Sequence, residues 1–138
     1  MKIKIKNFHY SGVINLCNAI YPQRMLISDK FKIKENGEKL VKKQATLEEL
    51  RQEIILSHGG NLEEGIKPDH ENYQKCVAEL NELFNLEVEV SISVIPLSVL
   101  ERFEADENTD LDSVLILAGT YKLPVKEEET KEVEFVAE

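Results

Sequence analysis

Residues 86–95 alternate apolar and polar side chains from Leu86 to Val94. A period of two over that length is a strand with one buried face, and it demands a partner strand and a core beneath it. Leu86, Val88, Val90, Ile92 and Val94 point one way; Glu87, Glu89, Ser91 and Ser93 point the other. A second strict alternation, Lys2-Ile3-Lys4-Ile5-Lys6, stands at the other end of the sequence. If 2–6 pairs with 87–93, Ile3 and Ile5 join the apolar face, while the lysines sit beside Glu87 and Glu89. Opposite charges across strands stabilise by a few tenths to about 1 kcal/mol per pair.

That pairing bears on the charge distribution. Residues 1–43 hold ten Lys/Arg and three acids, and residues 44–138 hold seven basic and 23 acidic residues, for a net charge of −9. Such asymmetry marks either a nucleic-acid arm, an acidic mimic surface, or one half of the chain folding onto the other. The strand match favours the last, with a largely acidic exterior concentrated in Glu104–Asp110 and the six glutamates after Lys126. The overall charge argues against a protein that simply coats nucleic acid.

Helical spacing accounts for most of the rest. Ser11 can cap a helix through Tyr21, with Val13, Leu16, Cys17 and Ile20 on one face and Pro22 as its stop. Leu26, Ile33, Leu40, Leu47 and Ile54 recur every seven residues, the pattern of a long helix over 25–57. Two signals oppose continuity. Asn36-Gly37 after the alternating Lys30–Lys34 is a hairpin signature, so a break is expected near Gly37. Thr46 with Glu49 reads as a capping box opening a fresh helix over 46–57.

The glycine-rich 58–70 is a loop, and Asp69 or His70 leads into a helix to Asn85. Its apolar face is Tyr73, Cys76, Val77, Leu80, Leu83 and Phe84, so the two helices form an antiparallel hairpin. Pro96 opens a short helix through Phe103. Thr109 with Asp112 caps another over Ser113–Ala118, which Gly119 stops. Val133 and Phe135 alternate within the acidic tail and can dock as an edge strand.

The expected fold class is therefore α+β. A small antiparallel sheet (strands near 2–6 and 86–95) packs with a helical hairpin (about 25–57 and 70–85) and short C-terminal helices. Residues 1–123 make one domain, and 124–138 an acidic tail. The chain is long enough to bury a core of its own. No apolar run approaches the roughly 20 residues of a membrane span. With no secretory-type start and only Cys17 and Cys76, the chain reads as a cytoplasmic protein without a disulfide framework.

No residue pattern carries chemistry. His9, His58, His70 and Cys76 lack the CxxC, HExxH or HxxxH spacing that gathers four zinc ligands. Cys17 and Cys76 fall on apolar helix faces, where a thiol behaves as a small hydrophobe. Neither GxSxG nor a phosphate loop occurs. Lys30, Lys32, Lys34, Lys39, Lys42 and Lys43, with Phe31 among them, form the one cluster of nucleic-acid-binding type. The same pattern is also the wet side of an amphipathic helix. No catalytic, cofactor-binding or metal residue is assigned, and no cofactor is expected.

The order of elements resembles an uncharacterised family of small proteins encoded by phages and prophages of Gram-positive bacteria. The matching features are the Lys-rich strand Met1–Asn7, the apolar helix Val13–Ile20, and Arg24 ahead of a charged helix. Leu47–Ile55, the loop His58–Asp69, Asn72-Tyr73-Gln74-Lys75, Glu79–Leu83 and the strand Glu87–Ile95 follow in order. The likeness covers roughly residues 1–120, and Asn36-Gly37 departs from it. It implies a non-enzymatic accessory protein acting through protein–protein contact, in the host cytoplasm or on the virion. The alternative is an acidic inhibitor of a host nucleic-acid enzyme. The partner is expected to be a protein, with neither membrane nor nucleic acid bound. Unpaired sheet edges and the heptad seam also raise self-association into a homo-oligomer.

Overall fold

A computed structural model describes residues 1–101 and 110–123. The elements are β1 (Lys2–Lys6), α1 (His9–Ile20), α2 (Ile27–Ser57), α3 (Tyr73–Phe84), β2 (Glu87–Ser91), α4 (Leu97–Leu100) and α5 (Leu111–Ala118). They form an α+β fold, mostly helical: a two-stranded antiparallel sheet, a long helical hairpin and short helices.

The strand pairing follows the side-chain pattern. Ile3 lies opposite Val90 and Ile5 opposite Val88, with Lys4 facing Glu89 and Lys6 facing Glu87. Lys2 reaches Glu89 at 3.9 Å, both side chains more than half exposed, a pair of small energetic weight. Leu86, expected inward, is exposed, because the chain is still turning out of α3 when it passes. The ladder runs one residue past β2: Met1 and Ile92 exchange two main-chain hydrogen bonds of 3.0 and 2.8 Å. Beyond that the alternation ends. Val94 is half-buried while Ile95 is fully buried, its N–H donating to the Leu117 carbonyl at 2.9 Å.

α1 starts at His9, two residues before the expected Ser11 cap. The chain is already fixed there, since Asn7 and Phe8 donate their N–H groups to the carbonyls of Leu86 and Phe84. Tyr21 keeps helical angles and donates to the Cys17 carbonyl despite preceding a proline. The stop is Pro22 itself, which has no N–H to continue the ladder.

α2 is one unbroken helix, against the expected break at Gly37 and the expected cap at Thr46. Thr46 lies mid-helix with its hydroxyl on the Lys42 carbonyl. Asn36 is not a turn residue. Its fully buried carboxamide faces Ser93, the Nδ2 donating to the Ser93 carbonyl at 2.9 Å and the Oδ1 accepting the Ser93 N–H at 2.8 Å. Gly37 stands against α1, where an added Cβ would lie 3.6 Å from the Cys17 Cβ. Ile33, Leu40 and Leu47 of the heptad row are buried in the same core as α1 and the sheet, while Leu26 is exposed. That part of the seam is covered within the chain and offers nothing to a second copy.

The far end of α2 builds a smaller cluster of Ile55, Ile66, Cys76 and Leu80 with α3. α3 begins at Tyr73, later than expected. His70 Nδ1 accepts the Asn72 N–H, and Asn72 Nδ2 donates to the His58 carbonyl, so 70–72 closes the loop instead of opening the helix. α4 follows Pro96 and ends at Leu100, and Phe103 lies outside the described residues. Asp110, one residue after the expected Thr109, caps α5 by accepting the Ser113 N–H at 2.7 Å. Gly119 ends α5 at φ 75°, where a side chain would be strained. Thr109, the acidic stretch 104–109 and the tail 124–138 also lie outside the described residues.

Leu80 is fully buried at the centre of the small α2–α3 cluster. Leu80→Ala should cost about 2–5 kcal/mol in chemical denaturation. A variant melting within a degree or two of the parent would contradict the packing described for the hairpin.

Candidate functional site

The described surface concentrates unusual features where α1 runs into α2. Tyr21 at the end of α1 lies beneath two cations, Lys30 Nζ 5.0 Å and Lys34 Nζ 5.5 Å from its ring centroid. Cation–π contacts of this length at a wet site contribute about 0.5–1 kcal/mol each. Four residues N-terminal to Phe31 on α2 is Ile27, so the two share one face. Ile27 is 81% exposed and Phe31 66%, and Leu26 is exposed beside them. Three large apolar side chains in one short stretch, rimmed by lysines, form a patch of the kind that marks a contact surface.

A cleft of ≈ 590 Å³ continues this face between α1 and α2. Tyr21, Lys34, Val41 and Lys42 line it, and Gly37 leaves its floor open. A second cleft of ≈ 460 Å³ lies on the sheet side of α2, where Lys2, Lys39, Lys42 and Lys43 surround Glu89. Lys42 borders both. The expected acidic exterior therefore does not hold along α2, where Lys39, Lys42 and Lys43 are exposed. The helix must turn Ile33, Asn36 and Leu40 inward, which sends the intervening lysines to solvent.

The titratable residues singled out in the sequence do not converge. His9 is buried, its Nδ1 accepting the Lys6 N–H at 3.0 Å. Its Nε2 faces the Tyr121 hydroxyl at 3.4 Å and an Asp112 carboxylate oxygen at 3.5 Å. Burial, then the carboxylates of Asp112 and Asp110, push the Tyr121 hydroxyl above its ordinary pKa. Tyr121 and Asp112 are not legible as partners of His9, since the Tyr121 contact joins residues 112 positions apart. His58 instead meets Glu79 of α3 at 2.9 Å, and His70 serves the loop. Among the described residues no three His, Cys, Asp or Glu side chains gather as a metal site requires. Nor is any described helix long and apolar enough to cross a membrane.

None of the family models, curated proteins or solved structures compared with the chain matches it.

Cys17 lines the first cleft yet is almost wholly buried, and that burial pushes its thiol up to about 12. Cys76 is buried too, with its pKa raised by desolvation and then by Glu79. Raised pKa values deplete the thiolate, the reactive form. At pH 8 a disulfide reagent such as DTNB should leave both thiols untouched in the native protein and titrate both after unfolding. Rapid labelling of one thiol in the folded state would contradict this burial.

Proposed function

We propose that this is a non-enzymatic accessory protein of phage or prophage origin that acts by binding another protein, in the host cytoplasm or on the virion. The observation that carries the binding reading is the exposed Leu26, Ile27 and Phe31 beside the Tyr21–Lys30–Lys34 stack. Apolar side chains held in water at the start of a long helix gain free energy when a partner covers them. The phage origin rests on the resemblance in element order alone. The lysines around the patch call for a partner that is apolar at its centre and acidic at its rim. The same lysines speak against an inhibitor whose surface imitates nucleic-acid phosphates throughout.

The test is capture from host lysate with the parent and with Ile27→Asp/Phe31→Asp. Both positions are exposed, so the double variant should keep its circular-dichroism spectrum and melting temperature. The expected result is one protein retained by the parent and reduced at least about tenfold by the variant, as for loss of a central apolar anchor. Equal capture by both would overturn the assignment of this face.

A further inference from the structure

Gly37 sits inside α2, where a glycine weakens a helix relative to alanine. The backbone does not require it, since the positive-φ glycines among the described residues are Gly59, Gly65 and Gly119. Nor does crowding. A Cβ built at Gly37 would meet one heavy atom within 4 Å, the Cys17 Cβ at 3.6 Å, which is an ordinary packing distance. Alanine would therefore fit and would strengthen the helix. What the missing side chain creates is the open floor of the ≈ 590 Å³ cleft between α1 and α2. Ile33, Lys34 and Val41 lie three or four residues from Gly37 and share its face of α2, while Cys17 and Tyr21 share a face of α1. Cys17 and Ile33 are buried beneath the cleft, and Val41, 51% exposed, is its apolar wall.

We propose that this cleft binds a small amphiphilic anion, a compact apolar body bearing one carboxylate or sulfonate, with the body over Gly37 and the charge at Lys42. The volume lies inside the roughly 300–1,000 Å³ of small-ligand sites, which likewise combine apolar lining with a few polar groups. The charges at its border select the sign. Lys34 is already engaged, by Glu38 at 3.9 Å and by the Tyr21 ring at 5.5 Å from its centroid. Lys42 is exposed and has no ion pair among the described residues, and Glu89, the carboxylate of the second cleft it borders, is reached by Lys2. One cation is thus left over for one anion. The site adjoins the Leu26–Ile27–Phe31 patch but uses none of its side chains, and it does not depend on a protein partner.

Fluorescence titration of the full chain with anilinonaphthalenesulfonate, and with phenylnaphthylamine, the same rings without the sulfonate, tests this. The parent should bind the sulfonate saturably and about threefold more tightly than the neutral probe, the ratio an exposed charge pair supports. Lys42→Gln should remove that preference. Gly37→Leu, which fills the floor, and Val41→Glu, which sets a carboxylate in the wall, should each weaken the sulfonate at least about tenfold. Because Val41 is exposed, Val41→Glu keeps the test decisive even where Gly37→Leu loses its native circular-dichroism spectrum. Gly37→Ala should melt higher than the parent. No saturable binding by the parent, equal affinity for the two probes, or sulfonate binding that survives Val41→Glu overturns the proposal. A probe kept by Gly37→Leu but lost from Ile27→Asp/Phe31→Asp overturns it in favour of the apolar patch. A lower melting temperature for Gly37→Ala overturns it too, because the glycine would then serve the fold.

Discussion

The fold turns on one side chain. After Ile92 the chain leaves the ladder with β1, and the Ser93 N–H and C=O face the helical layer with no strand to meet them. An unpaired buried main-chain group costs about 1–3 kcal/mol. Asn36, with a donor and an acceptor on one planar carboxamide, stands in for the missing strand residue and satisfies both. Glu35 adds a 2.6 Å bond from the Ser93 hydroxyl. The middle of α2 is thereby pinned to the end of the sheet, and its rotation is set. Ile33 and Leu40, one turn to either side, must face the core, and Gly37 must face Cys17 of α1.

This explains what the sequence disclosed and what it hid. Both strands, their pairing and the Lys–Glu register were legible because period-two alternation is a local signal. The helical hairpin was legible for the same reason at its own period. The break at Gly37 was misread because Asn-Gly is a turn signal only while the asparagine lacks a tertiary partner. Its partner is 57 residues away. The cap at Thr46 failed likewise, since no gap in the helix exists for it to close. The early start of α1 and the late start of α3 were set by main-chain and histidine contacts that leave no pattern in the residues themselves.

Of the candidate site, the lysine row and Phe31 were visible, but not which of them faces water. That follows from the rotation fixed by Asn36: turning Ile33 and Leu40 inward leaves Ile27, Phe31 and Val41 outside, and lines both sides of α2 with lysines. The basic half of the chain is thus only partly matched by the acidic strand face, and the remainder forms the rim of an apolar patch. The His9–Tyr121–Asp112 contact could not be found from spacing, because it joins opposite ends of the described chain.

Asn36 holds the main chain of Ser93. Ser91 and Ser93 both turn their N–H groups away from β1, and only Ser93 has a described acceptor. Residue-resolved hydrogen exchange in the parent and in Asn36→Ala reads this directly. The Ser93 N–H should exchange about a hundredfold more slowly than that of Ser91 in the parent, and approach the Ser91 rate in the variant. Equal rates for the two serines in the parent, or a Ser93 rate unchanged by Asn36→Ala, would contradict the account.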